Sequence, residues 1–237
     1  RKPPWLTVPL ADGPRYRTVQ RAVTEQHLHT VCKEARCPNR GECWSAGTAT
    51  FLLLGDVCTR GCGFCAVNRG DPGGVLDPSE ARRVAAAAET MGLTYVVLTS
   101  VTRDDLPDGG ASVFADTLAA LSGLTPPPRT EVLIPDYGPG ALDAVLSAQP
   151  SVLAHNLEVV ERLTPQLRHP RFSYRRSLSV LKRAADSTWG GRVKSSLLLG
   201  LGETRDEVSR ALDDLLAAGT HFLVLGQYLQ PSRGHAP

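Results

Sequence analysis

Short apolar runs alternate with longer amphipathic stretches along most of the chain. Phe51 to Val57, Tyr95 to Thr99, Glu131 to Ile134, Val152 to Ala154, Val193 to Leu199 and Phe222 to Leu225 are strand-sized and rich in β-branched residues or leucine. Between them, Pro78 to Met91, Ser112 to Leu121, Ala141 to Ala148, Glu158 to Leu163, Tyr174 to Ala185 and Arg205 to Ala218 read as helices. Asp77 is placed as an N-cap and Gly92 as a stop. Gly123 and Thr125-Pro126-Pro127-Pro128 end the second helix. Near-continuous apolar strands joined by helices predict parallel pairing with crossovers. Six strand starts fall short of the eight of a closed barrel. The expected fold class is therefore α/β, a partial (β/α)6 barrel open on one side; a doubly wound sheet satisfies the same alternation.

Before the first strand, residues 1–31 read as an irregular leader with a short helix around Tyr16 to His27. Residues 32–49 form a cysteine-bearing segment too polar and irregular for a core element. The expected division is an N-terminal extension, 1–49, followed by the barrel, 50–237. In either topology the active site belongs at the carboxyl ends of the strands. Polar clusters follow every strand: Cys58, Thr99 to Asp105, Asp136, His155-Asn156, Gly200 to Glu203 and Gln227-Tyr228.

Composition narrows the classes. With 237 residues, 42% of them hydrophobic, the chain can bury roughly 70% of its unfolded surface without staples. A formal net charge of +2 gives no case for nucleic acid. Arg168, Arg171, Arg175, Arg176, Lys182 and Arg183 form a run without an acidic residue, readable as a solvated helical face or as a docking surface. No apolar run approaches the ~20 residues of a membrane span, and no signal sequence is visible. The expected setting is the cytoplasm, or an organellar matrix if the chain is a processed eukaryotic protein. There thiols stay reduced and disulfides are disfavoured.

The 6 cysteines fall into two triplets: Cys32, Cys37 and Cys43, then Cys58, Cys62 and Cys65. Thiolates are soft ligands for iron, zinc and iron–sulfur clusters. Three on one tight loop can hold three irons of a cubane and leave the fourth open for chemistry. Gly61 and Gly63 permit the tight backbone that such a wrap requires. Structural zinc, with Cys62 and Cys65 as half of a four-ligand site, is the competing reading. The histidines have no matched ligand spacing, and Gly200-Leu201-Gly202 is no full phosphate loop.

Cys58-Thr59-Arg60-Gly61-Cys62-Gly63-Phe64-Cys65 resembles the cluster loop of the radical S-adenosylmethionine (SAM) enzymes. Val31 to Trp44 resembles the auxiliary-cluster segment of the lipoyl synthase family within that superfamily. Lys2 to Leu6, Thr99 to Gly110, Glu131 to Asp136, His155-Asn156, Tyr174 to Leu178, Gly200 to Glu203 and Gly226 to Ser232 also match it. The resemblance implies two 4Fe-4S clusters and SAM as cofactors, with Cys58, Cys62 and Cys65 on the reducing cluster and Cys32, Cys37 and Cys43 on the sacrificial one. It implies two sulfur insertions, at C6 and C8 of an octanoyl group on a lysine of a lipoyl carrier domain or glycine-cleavage H protein. Radicals would come from two SAM molecules, and flavodoxin or ferredoxin would be the electron donor. A cofactor radical suits this task, since side-chain acids and bases cannot activate such C–H bonds.

Strand-end position and the resemblance together place Arg103, Asp105, Asn156 and Glu158 at the SAM pocket. Lys194, Gly202 and Glu203 are expected at the nucleoside, and Gln227 and Tyr228 at the last strand end. Asp136 is expected as a ligand residue or a turn cap. Arg175 and Arg176 are read as cluster or substrate contacts or as surface ion pairs. The family's distal Arg-Ser-Ser segment, whose serine completes the auxiliary cluster, has no counterpart before Pro237; the expectation is a barrel truncated at its C-terminus, with an auxiliary cluster completed differently or a defective paralogue as the alternatives. Lys33, Thr102 and Ser196 also depart from the family pattern. Other readings stay open: another radical SAM sulfur-inserting enzyme, or a non-catalytic cysteine-rich metal or lipoyl-domain binding protein.

Overall fold

The computed structural model describes residues 13–34, 37, 39–46 and 48–237. Lys2 to Leu6 and Ala35, Arg36 and Pro38 of the first cysteine segment lie outside them. Strands β1 (His29–Thr30), β2 (Thr50–Leu53), β3 (Val57–Cys58), β4 (Asn68–Arg69), β5 (Tyr95–Ser100), β6 (Arg129–Leu133), β7 (Val152–Ala154), β8 (Arg192–Leu199) and β9 (Phe222–Gln227) are interleaved with helices. These are α1 (Pro14–Glu25), α2 (Val31–Glu34), α3 (Arg40–Ser45), α4 (Glu80–Thr90), α5 (Ala111–Ser122), α6 (Pro139–Ser147), α7 (Thr164–Leu167), α8 (Tyr174–Asp186) and α9 (Arg205–Ala217).

One sheet runs in the order β1-β2-β5-β6-β7-β8-β9, and β3-β4 form a separate pair. From β2 to β9 every pairing is parallel, and β1 joins antiparallel at the edge. The six expected strands are therefore neighbours in chain order, as an open barrel requires. Alternation turns Val96, Leu98, Val132, Leu153, Val193 and Leu197 to one fully buried face, under the helices. The other face and the strands' carboxyl ends are left for the site.

Local chemistry explains the element ends. Gly92, at φ 60°, stops α4 just after Met91. Ser173 Oγ accepts the Arg176 N–H at the start of α8. Thr204 and Glu207 form a reciprocal capping box on α9.

Four expectations change. Asp77 is not the N-cap of α4: the cap position is Ser79, whose N–H and Oγ both donate to Asp77 Oδ1, at 2.8 and 2.6 Å. The first strand does not run to Val57: Leu54 and Gly55, at φ 70° and 86°, turn the chain after Leu53. The Leu54 N–H is held there by both oxygens of the buried Glu80 carboxylate, at 3.2 and 3.0 Å. The stretch from Glu158 does not start a helix, because Glu158 itself is left-handed at φ 68°; a 3-10 turn begins only at Glu161. The segment 32–49 does contribute to the core. Cys32, Trp44 and Ala49 are buried, and the Trp44 ring packs on Tyr16 at 5.3 Å. Scattered apolar positions on α2 and α3 suffice because β1 and α1 supply the partner surface.

Candidate active site

The second triplet lies on a loop bracketed by β3 and β4, at the carboxyl end of the first parallel strand. Cys58 Sγ accepts N–H donors from Arg60 and Thr102, each at 3.4 Å. Cys62 Sγ accepts the His169 N–H at 3.5 Å. Gly63 N–H donates to Leu167 O at 2.7 Å, which ties the loop to α7. The Arg69 side chain lies across Gly61, 2.7 Å from where a Cβ would stand.

All the cysteines are free thiols. Burial pushes the Cys62 thiol up and Cys65 up to about 11, with the neighbouring sulfurs adding to both. In the first triplet, burial raises Cys43, and Cys32 and Cys37 raise it further. Each triplet is thus a set of mutually close thiols that ligation would have to deprotonate. Among the described residues, the ligand trio within 4.8 Å, the spacing of a single ion, is His29, Glu34 and Asp56, not either cysteine triplet. By chemistry, three soft thiolates in each triplet are a donor set that suits an iron–sulfur cluster.

Arg60, the third residue of the loop motif, pins the loop to the next two strand ends. Its Nε and Nη2 donate to both oxygens of Asp104, at 2.9 and 2.7 Å, and its Nη1 to Asp136 at 2.6 Å. The Arg60 hydrogen bonds hold the Asp104 carboxyl down at about 2. Arg176 reaches the same Asp136 from α8, at 3.1 Å. The guanidinium groups of Arg60 and Arg168 both lie over the Phe172 ring, at 4.2 and 4.0 Å from its centroid. Arg168 is buried, and its Nη1 donates to Ser177 Oγ at 2.9 Å. Its charge favours the thiolate of Cys62 and the carboxylate of Glu158. Beside this network lies a cavity of about 550 Å³ lined by Arg60, Asp104, Pro107, Asp136, Tyr137 and Arg176.

The expected site residues separate into three groups. Asn156 and Glu158 do stand at the mouth: Asn156 Nδ2 donates to Glu158 Oε1 at 3.1 Å, and Glu158 acts electrostatically on Cys62 and Cys65. Burial raises the Glu158 carboxyl, against the pull of Arg168 and Asn156. A non-glycine residue at φ 68° beside the cysteines is local strain of the kind found at working sites.

The second group braces loops from within. Arg103 is spent on Asp105, Leu54 O and Val75 O, and Asp105 also accepts the Gly74 N–H. Glu203 turns back to accept the N–H groups of Gly200 and Leu201, at 2.6 and 2.9 Å, and Gly202 O accepts from Arg162. Gln227 Nε2 donates to Leu199 O and Tyr228 O, and Tyr228 Oη to Ala236 O.

Lys194 forms the third group. It is the third residue of β8, and its Nζ pairs with Glu131 Oε1 at 2.6 Å, while Tyr95 donates to Oε2. That places Lys194 toward the amino ends of the strands, away from the cysteines. The basic run is also resolved in space. Arg175, Lys182 and Arg183 pair with Glu161, Asp186 and Asp143, whereas Arg171 and Arg176 reach Asp104 and Asp136, the carboxylates that Arg60 also holds. Arg60, Asp104, Arg168, Phe172 and the buried His155 went unassigned in the sequence. Arg60 carried a signal, its place inside the cysteine motif; Arg168 stood out only as one member of the basic run, and Phe172 carried no signal.

An open parallel barrel with a cysteine triplet after its first strand defines the class, an enzyme of the radical SAM type, and residues 52–215 match the Radical SAM superfamily. The fold is shared with methylornithine synthase (TM-score 0.61, 15% identity, 95% of this chain and 63% of that one). It is shared equally with the FeFe-hydrogenase maturase HydG from Carboxydothermus hydrogenoformans (TM-score 0.62, 16% identity, 93% and 58%). The lipoyl synthase of Thermus thermophilus is 53% identical over 238 residues, 100% of this chain and 74% of the relative. Those of Halorhodospira halophila (51%, covering 100% and 72%) and Pyrobaculum calidifontis (53%, covering 98% and 80%) are similar to the same degree. The chain belongs to the lipoyl synthase family.

Proposed function

We propose that the chain inserts two sulfur atoms, at C6 and C8, into an octanoyl group carried on a lysine of a lipoyl carrier domain or glycine-cleavage H protein. The observation that carries this reading is the grouping of Cys58, Cys62, Cys65, Arg168 and Glu158 at the strand ends, with N–H donors on the sulfurs. Cys58, Cys62 and Cys65 would hold one 4Fe-4S cluster with an iron open to SAM, and Cys32, Cys37 and Cys43 the other. When bound, the first supplies the electron that cleaves SAM to the hydrogen-abstracting radical, and the second supplies the sulfur.

The chain's own groups bind and orient. The Glu158 carboxylate, held by Asn156, offers an anionic partner to a cationic sulfonium compound. Arg60 fixes the loop between Asp104 and Asp136, which keeps the reacting partners in register. Arg103, Asp105, Gly202, Glu203, Gln227 and Tyr228 shape the rim through the loops they brace. Lys194 supports the far end of the barrel. Among the described residues no helix is long and apolar enough to cross a membrane. The reading places the chain in a reducing compartment, the cytoplasm or an organellar matrix, with flavodoxin or ferredoxin as donor.

The test is an anaerobic assay of reconstituted protein with dithionite, SAM and an octanoyl-lysine peptide, read by mass. The expected product is a doubly sulfurated peptide. Abundant 5′-deoxyadenosine without sulfurated peptide would leave the radical step and remove the sulfur insertion. Neither product from cluster-loaded protein would remove both.

A further inference from the structure

The loop of the second triplet is held on its far side by the chain that leaves β9. Ala236 N–H donates to Gly63 O at 2.8 Å, and His235 Nε2 lies 3.1 Å from Cys65 O. A carbonyl oxygen only accepts, so Nε2 carries a proton and donates. Nδ1 lies 2.8 Å from the Ser232 hydroxyl, a second contact that orients the ring. Gln230 Nε2 donates to His235 O at 3.0 Å and Tyr228 Oη to Ala236 O at 2.8 Å, so the segment's own backbone is braced at both residues. Tyr228 N–H in turn bonds Leu199 O at the end of β8.

This arrangement answers a problem of the open barrel. Cys58 to Cys65 spans the mouth from the first parallel strand, and β9 ends on its other side. No strand pairing joins β2 to β9, so these contacts hold the loop from the β9 side, in addition to the holds that Arg60 and the Gly63 N–H give it.

We propose that residues 228–237 form a latch across the mouth, with His235 as a positioning residue that holds the backbone at Cys65. This rests on the assignment of Cys58, Cys62 and Cys65 as ligands of the SAM-binding cluster. His235 is no ligand and touches no reacting atom. It acts through the ligand loop, which lowers the chance that Cys65 swings away and releases its iron.

The test uses the full chain, reconstituted and reduced, and reads the electron paramagnetic resonance signal that changes when SAM is added. That signal reports only a cluster with an open iron. Its decay in the presence of an iron chelator is compared for wild type, His235→Ala, His235→Gln and Ala236→Pro. His235→Ala should lose the signal about five-fold faster, the scale of one hydrogen bond. His235→Gln, whose amide can still donate to Cys65 O, should restore most of the retention. Ala236→Pro, which lacks the N–H for Gly63 O, should move in the same direction as alanine. A His235→Ala rate equal to wild type, or a fast rate that His235→Gln shares, overturns the latch alone. A wild type with no SAM-responsive signal overturns the ligand assignment and the latch with it.

Discussion

His155 shows how a single buried residue ties the site to the stability of the fold. Its Nδ1 lies 2.9 Å from Ile134 O and must donate to it, which leaves Nε2 as a bare acceptor with no partner among the described residues. Burial, helped by the charge of Arg168, pushes its pKa from 6.5 down to about 4. The unfolded chain therefore takes up a proton below pH 6.5 that the folded protein refuses. The contribution of neutral His155 is complete above pH 6.5 and is lost as the pH falls toward about 4. Urea midpoints measured from pH 7 to pH 4 should fall more steeply for wild type than for His155→Gln. Parallel curves would show that the ring is not held neutral by the fold. The same scale holds the plainest lesson about legibility. The cysteines announce themselves by spacing, whereas His155 is marked only by its place at the end of the fourth strand, which says nothing of its burial or its partners.

Among the elements, the turns before and after the helices decide where the loops of the mouth sit. Gly110 precedes α5 at φ 87°, and a Cβ there would stand 2.2 Å from Leu54 Cδ1. Leu54 has little room to yield, because Glu80 holds its N–H and the chain turns there. Gly110→Ala should therefore destabilise by about 2 kcal/mol, combining left-handed strain with overpacking. Gly140, in the first turn of α6, meets nothing within 4 Å, and Gly140→Ala should be neutral or stabilising by about 0.5 kcal/mol. Equal effects of the two in urea titration would show that the Leu54 contact is not tight. Strand and helix positions were legible at this scale because periods of 2 and 3.6 are local properties. The break at Leu54–Gly55 was not, since an apolar run reads as strand until a buried carboxylate on α4 claims its N–H.

At the scale of the whole molecule, the open sheet leaves an unusual edge. Phe222, Leu223, Val224 and Leu225 of β9 are 40–50% exposed, and β9 pairs only with β8 among the described strands. Leu216 and Leu229 extend the apolar surface beside it. A flat, apolar edge with unpaired N–H and C=O groups is a template for association. The 237-residue chain should show concentration-dependent light scattering, and Val224→Lys should reduce it. Scattering that the lysine does not change would place the association elsewhere.

The sequence by itself determined the six parallel strands of the main sheet, most of the long helices between them and the two cysteine triplets with their family resemblance. All of these are written in spacings along the chain, over which packing has no vote. Only the tertiary structure decided which polar groups meet. It carried Arg168 and Phe172 over 100 residues of chain to the cysteine loop, set Arg60 between two aspartates from different strand ends and laid His235 on Cys65. It also turned Glu203 and Arg103 inward as loop braces and moved Lys194 to the far end of its strand. A polar side chain takes the partners that register, twist and loop closure bring within about 3 Å, and no local pattern encodes that choice.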